Sequence, residues 1–515
     1  MNTPPTLILL PGGLCVSGVA VWAARLANAL TEQGTDVALT IFAPHPGHRP
    51  LSIALDERLT RIDLTHLPPI ESAGDNLAPY IAPIAQHILT RARPEQPMAV
   101  IPNLHGDCFG VVAAIAQVHS ELIRVIGVAH SDNTYDAAII THYSPMLAHA
   151  VAVSDHLEAE LRSKVSIPIA NVPYGVPIPN QAIARQPTAN RPIKLLYAGR
   201  LEHRQKRIMA LPVLSDALND RQIAHTLTIV GAGPARNQLA RELVNRPNIT
   251  MRDAVDPTAL GDLLDSHDAF VLPSRYEGLS IAMLEALAHG CIPIVARSRS
   301  GSAQAISTGI TGEIVDIDPD ADETETGIAL ARAVETLTRR DLPEMANRAA
   351  VDARRRFSLE AHVRAWQHLL GSAVNQPPKP WPADRPAAYS SSQPGAGSVP
   401  IDAGQRLIAI LAKLAGRPII IHGAGRHTLA LAPLLDGFDI RAVADDDPQR
   451  FGERLLGWKI IDPHTAAVTG ATDVIISSAL HEADIWRRRE VYVEQGLRVH
   501  RLYAATDESH AATKP

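Results

Sequence analysis

PSRYEGLSIAMLEALAHG, residues 273–290, decides the fold. It follows the apolar run DAFVLP, breaks at Gly278 and continues as an apolar helical stretch. A short apolar run, a glycine turn and a helix make one βα unit of a parallel sheet. In open α/β sheets ligands bind beyond the carboxyl ends of the strands. Helix N-termini there offer free N–H groups and partial positive charge to phosphates. Glu277 precedes the helix and Glu285 lies inside it, about two turns along. An acid on the loop can accept hydrogen bonds from sugar hydroxyls, and one on the helix can take those of a ribose. The spacing therefore suits a nucleotide-sugar. The plainer reading is that Glu277 only complements the helix dipole and Glu285 is a solvated surface residue. Met283, Leu284, Ala286, Leu287 and Ala288 weigh against it, because a carboxylate in an apolar helix needs a partner.

Outward from this unit the same rhythm repeats. TLILL, DVALTIF, MAVIPNL and RVIGVAH read as strands, with VAVWAARLANAL as a helix. PYGVPIPNQAIARQPTANRP, residues 173–192, reads as a linker by its Pro and polar content. The rhythm restarts with IKLLYAG, TLTIVGAG, NITMRD, DAFVLP and IPIVAR, and FSLEAHVRAWQHLL is an amphipathic helix. Residues 375–400, rich in Pro, Ser and Gly, have the composition of a flexible or extended linker. RPIIIHGAGRHTLALAPLL then opens a third strand–turn–helix series. The expected domains are 1–185, 186–373, a linker over 374–400, 401–508 and a frayed tail over 509–515. The expected fold class is α/β, with two Rossmann-like domains followed by a third.

Composition narrows the function. The 515 residues exceed one hydrophobic core. A net charge of −6 argues against a dedicated nucleic-acid binder, and 4% aromatics are too few for a base-stacking platform. Residues 1–185 carry ten Lys/Arg against fifteen Asp/Glu, the opposite of a basic membrane-seeking face, so membrane contact is at most peripheral. Cys15, Cys108 and Cys291 are far apart and odd in number. They form neither a disulfide framework nor a zinc spacing, which fits a reducing cytosol. The N-terminal apolar run lacks a basic leader region and reads as a buried strand; no 18-residue apolar stretch is present.

Three further stretches carry chemistry. YAGRLEHRQKR, residues 197–207, brings Arg200 and Lys206 to a strand end, where two cations can hold a diphosphate without metal. A solvated basic loop containing Arg204 and Arg207 is the alternative. GGLCVSGV, residues 12–19, is a Gly-rich strand-to-helix turn whose backbone can approach a phosphate or sugar, or which is only a tight turn. Strands also end at His105 and His130, where a cleft would lie. His105 reads as structural; His130 leans to function.

Together these blocks resemble the retaining glycosyltransferases of family four, with the two-domain GT-B architecture, over residues 6–373. The Glu-x7-Glu block, AGRLEHRQK and VGAGP are its most specific parts; VAHSDNTYDA, AVSDHLEAEL and PYGVPIP are weaker. The resemblance implies transfer of a hexose from a UDP- or GDP-sugar to a glycan or other acceptor, without metal, in bacterial surface polysaccharide or glycoconjugate synthesis. It implies that Glu277 contacts the donor sugar and Glu285 the ribose. Arg200 and Lys206 would hold the departing diphosphate, and His130 would approach the sugar hydroxymethyl group. Gly18 would lie by the phosphate, with Gly278 and Leu279 beside it in the donor site. The terminal helix would return to the first domain. RSRSGSAQAIST departs from a family pattern with paired Gly and an acid, placing Gln304 near the acid position.

In the third domain, Gly423-x-Gly425-x-x-Thr428 has Thr where a dinucleotide fingerprint has its third Gly, and Asp445 ends the next strand. This stretch resembles the N-terminal Rossmann-like domains of bacterial sugar acetyltransferases. It allows a bound nucleotide, with Asp445 on the ribose, or a ligand-free assembly module. An NAD-dependent oxidoreductase or nucleotide-binding scaffold built on this domain is the rival from another class, but the chain beyond it is too short for a hydride-transfer partner domain. A nucleotide-sugar hydrolase or epimerase, and a silent sugar-binding scaffold, are the nearer rivals.

Overall fold

A computed structural model of the chain describes residues 3–503 apart from 16, 45–52, 71–75, 104–105, 133, 181–184, 188–190, 204, 234, 299, 319–320, 390–402, 432–433, 436, 456 and 479–480. His105, Arg204 and the expected tail over 509–515 lie outside the described residues.

The first sheet contains β1 (Thr6–Leu10), β2 (Val37–Phe42), β3 (Thr60–Leu64), β4 (Met98–Ile101), β5 (Ile123–Ala129), β6 (Leu147–Ala152) and β7 (Ile169–Asn171). Their order is β3-β2-β1-β4-β5-β6-β7, and every neighbouring pair is parallel. Every residue of β1, β4, β5 and β6 is buried, which is why these strands read as continuous apolar runs rather than alternating ones. β3 alternates half-buried and exposed residues, as an edge strand can, and its sequence TRIDL gives little apolar signal.

The second sheet contains β8 (Ile193–Ala198), β9 (His225–Val230), β10 (Ile249–Arg252), β11 (Ala269–Leu272), β12 (Ile292–Ala296) and β13 (Glu313–Val315). Its order is β10-β9-β8-β11-β12-β13, again parallel throughout. The direction of crossover reverses between β8 and β11, so a topological switch point lies beside the 273–290 stretch. One compact unit, residues 1–389, holds both sheets. The helix Leu359–Val374, capped by Ser358, follows the second sheet yet packs on the helix Gly18–Glu32 and on β4, β5 and β6. Val176 fixes its start: the Val176 amide donates to Phe357 O at 2.8 Å, and the Leu359 amide donates to Val176 O at 3.1 Å.

A second unit, residues 390–515, contains β14 (Ile419–His422), β15 (Ile440–Ala444), β16 (Arg454–Leu455), β17 (Trp458–Ile461), β18 (Asp473–Ile476) and β19 (Arg498–Arg501). The order is β16-β17-β15-β14-β18-β19, parallel except for the antiparallel pair β16–β17. The third sheet is thus mixed.

Part of each expected linker is packed, and residues 390–400 lie outside the described residues. Within 173–192, Arg185 is buried, and its guanidinium donates to the carbonyls of Leu264, His289 and Gly290 at 2.7–3.1 Å. It satisfies carbonyls at the ends of two helices, which their own ladders leave unpaired. Residues 376–389 lie against the first domain instead of forming free linker. Trp381 is buried in a cluster with His142 and Tyr143, Tyr143 Oη donates to Ala387 O at 3.0 Å, and Arg124 Nε donates to Gln376 O at 2.6 Å. Proline-rich composition signals the absence of helix and strand; it does not signal absence of packing.

Candidate active site

Ser280 caps the helix Ile281–Ala288, its hydroxyl accepting from the Met283 amide at 3.3 Å. This fixes the turn of the helix on which Glu285 sits and leaves Gly278 and Leu279 at its mouth. Glu277 and Glu285 are both buried. Glu277 Oε1 forms an ion pair with Lys206 Nζ, both side chains being largely withdrawn from solvent. The pairing depends on the loop after β8. Gln205 Nε2 donates to Tyr276 O at 3.1 Å, and the Arg275 amide donates to Gln205 O at 2.7 Å, stitching residues 205–206 to 275–277. The Glu202 carboxylate accepts from the amides of Gln205 and Lys206 and shapes that loop. Gly231 and Gly233, in the VGAGP block, pass so close to the carbonyls of Gly199 and Leu201 that a Cβ at either would overlap them. Arg200 is exposed at the rim, its guanidinium 3.4 Å from Gln205 Oε1. Arg207 is buried and donates to Thr326 Oγ1 at 3.2 Å, so the loop is not a wholly solvated basic one.

Glu285 has a partner from the other domain. Arg25, on the helix Gly18–Glu32, donates through Nη2 to Glu285 Oε1 at 2.6 Å. Arg25 was not singled out in the sequence, although the argument applied to Glu285 applies to it: it is a lone charge in VAVWAARLANAL. Other contacts bring the same two edges together. A Cβ on Gly278 would overlap the His130 carbonyl oxygen, and one on Gly18 would lie 3.7 Å from the Ile281 side chain. The Asp155 amide donates to Gln304 Oε1 at 3.0 Å, which gives Gln304 a structural task at the domain junction. Leu279 is buried at this junction.

His130 sits behind the cleft edge. Its Nδ1 is 2.8 Å from Tyr174 Oη, its Nε2 is 2.9 Å from Asn103 Oδ1, and Trp22 packs against the ring. Both ring nitrogens are engaged within the first domain, and burial pushes its pKa down to about 3. The ring is neutral at pH 7, and the part of His130 that meets the second domain is its carbonyl. Asp132, His156 and Glu160 each offer a ligand atom within 4.8 Å of one another, the one such group among the described residues; Glu160 is already paired with Lys164.

In the second unit, the Asp445 carboxylate accepts from the Ala424 amide at 2.7 Å and from the Asp447 amide at 2.9 Å. It is thereby used in holding the Gly423–Gly425 turn. Thr428 donates to Ser477 Oγ at 2.9 Å, a bond that a third glycine could not make.

Comparison with known proteins bears on the first unit. Residues 192–339 match the family model described as Glycosyl transferases group 1. The chain is 33% identical over 185 residues to a GDP-mannose-dependent alpha-(1-6)-phosphatidylinositol dimannoside mannosyltransferase of Mycobacterium tuberculosis, a match covering 35% of this chain and 43% of that protein. It is 35% identical over 211 residues to a glycogen synthase of the same organism, covering 38% and 47%. The chain thus spans less than half the length of these relatives. Its fold is similar to that of the sucrose-phosphate synthase from Thermosynechococcus elongatus, with a TM-score of 0.57 at 17% identity over 71% of this chain and 98% of that one. The two parallel sheets are those of the GT-B fold; the third, mixed sheet is additional.

Proposed function

We propose that this chain, a GT-B protein whose residues 192–339 form a group 1 glycosyltransferase domain, transfers a hexose from a nucleoside-diphosphate sugar to an acceptor hydroxyl with retention of anomeric configuration. The observation that carries the reading is the Lys206–Glu277 pair at the switch point of the second sheet, with Glu285 one helix away and facing the first domain. In the transfer, the bond from the sugar anomeric carbon to the diphosphate oxygen breaks. The acceptor oxygen bonds to that carbon on the same face, and the acceptor proton passes to the leaving diphosphate. Negative charge grows on the diphosphate as it departs. The Lys206 ammonium, Arg200 and the backbone amides at Gly278–Leu279 would stabilise it, an effect worth about 100-fold or more in rate per donor. Glu277, freed from Lys206 as the diphosphate takes that cation, would bind sugar hydroxyls. No side chain is assigned as a covalent nucleophile, and no step requires a metal.

His130 is assigned a positioning part: it orients the 130–131 backbone against Gly278. Among the described residues no helix is long and apolar enough to cross a membrane. With the acidic balance of residues 1–185, this favours an acceptor met in solution or delivered by a partner, within surface polysaccharide or glycoconjugate synthesis. The second unit is proposed as an appended module without a part in transfer; a nucleotide there would share the Asp445 carboxylate with the Ala424 and Asp447 amides it already accepts from. The test is a transfer and hydrolysis screen over UDP-, GDP- and ADP-sugars. Turnover with one of them, lost in Glu277→Gln, supports the reading; absence of both turnover and nucleotide binding overturns it.

A further inference from the structure

We propose that Arg25, from the first domain, completes the ribose subsite and selects ribonucleotide over 2′- or 3′-deoxynucleotide donors. The inference rests on the donor reading of Glu285 given above. Arg25 is 8% exposed and is the lone charge among the apolar residues of VAVWAARLANAL, so its charge needs full compensation. Nη2 has it in Glu285 Oε1 at 2.6 Å. Nη1 is buried and has no hydrogen-bond partner among the described residues. The planar guanidinium fork fixes Nη1 beside Nη2, so this free donor lies next to the Glu285 carboxylate. A donor and an acceptor side by side, held by one ion pair, match a vicinal diol. Each hydroxyl of a ribose can give its proton to one group and accept from the other. Glu285 takes a proton, Arg25 Nη1 gives one, and the ribose satisfies the unused capacity of both. A deoxyribose leaves one of the two unmet, and a buried unpaired polar group is costly.

The arrangement also links the ribose to both halves of the cleft. Glu285 belongs to the second domain and Arg25 to the first, so a bound ribose would contact both. Arg25 is a specificity residue, and its effect should fall on donor affinity and on discrimination rather than on the chemical step.

The test uses the full chain. Affinities for UDP and GDP, and for their 2′-deoxy and 3′-deoxy counterparts, are measured by calorimetry on the wild type, Arg25→Met and Arg25→Lys. The wild type should prefer the ribose form of its nucleotide over at least one deoxy form by about tenfold or more. Arg25→Met should lose most of that preference by weakening ribonucleotide binding, and Arg25→Lys should keep part of it. Thermal midpoints accompany each variant. If Arg25→Met does not fold, Arg25→Lys carries the test, since one ammonium cannot serve both Glu285 and the diol in the fork geometry. An unchanged preference in a folded variant overturns the proposal. So does tighter ribonucleotide binding, which would mean that Arg25 competes with the ribose for Glu285. A wild type that binds no nucleotide fails the donor reading itself.

Discussion

Single side chains at this site are held by opposite charges. Lys206 and Glu277 are ion-paired, so removing one leaves the charge of the other without this partner in a site largely withdrawn from solvent. Lys206→Ala should lower kcat by about 100-fold while changing the donor KM by less than about tenfold, because the ammonium matters most as charge grows on the diphosphate. Steady-state kinetics decide; equal effects on both parameters would point to ground-state binding. Gly278 presents a steric limit rather than an electrostatic one. Gly278→Ala drives a methyl into the His130 carbonyl, and the backbone of one domain must retreat from that of the other. The expected cost is about 1–3 kcal/mol of stability, with a loss of donor affinity, read by thermal melts and donor titration. The sequence showed Glu277, Lys206 and Gly278 as a pattern. That His130 would meet Gly278 through its carbonyl was not legible, because the contact joins residues more than a hundred positions apart.

At the scale of elements, the returning helix Leu359–Val374 and the segment after it hold the first unit together. Trp22 Nε1 donates to His362 Nε2 at 3.0 Å, and His362 Nδ1 donates to Pro173 O at 2.6 Å, so the helix is pinned by a neutral imidazole. Residues 376–389 then cover the aromatic cluster around Trp381. A chain stopped after residue 374 should be about 3–5 kcal/mol less stable than one stopped after 389, the range for removing a buried tryptophan. Trp381→Ala in the longer form should reproduce most of that loss. Chemical denaturation of the three proteins measures it. The longer form should retain transfer, and its loss there would draw the second unit into catalysis. The helix was readable from its amphipathic period. The covering segment was not, because a Pro-rich stretch packs through a few isolated aromatics, with no period to read.

For the whole molecule, acid is the expected weakness. Burial lowers the pKa of His130 to about 3 and that of His362 to about 4, against 6.5 for the unperturbed group. Both rings are neutral when folded, and the unfolded chain binds their protons first. Their contribution is therefore complete above about pH 6.5 and falls as the pH drops from there towards 4. His203 works in the opposite direction, its pKa raised by the hydrogen bond to Glu323, but it is partly exposed and weighs less. The thermal midpoint should drop between pH 7.5 and pH 5. His362→Gln can accept from Trp22 and donate to Pro173 without titrating, so it should drop less over the same range. An equal drop in wild type and variant would remove His362 from the account.

The sequence by itself determined the repeated βα units, the two parallel sheets, the positions of Glu277, Lys206 and Arg200 in the loops after strands and that of Glu285 inside a helix. These follow from local patterns: apolar runs, glycine turns, helix periodicity and charges within apolar surroundings. Tertiary structure alone decided the partners. It paired Glu285 with Arg25 across 260 positions, enclosed His130 between Asn103 and Tyr174, spent Asp445 on its own turn and folded residues 376–389 onto the first domain. A pattern can show that a buried charge needs compensation, but which group supplies it depends on how separate elements are packed, and no local period records that.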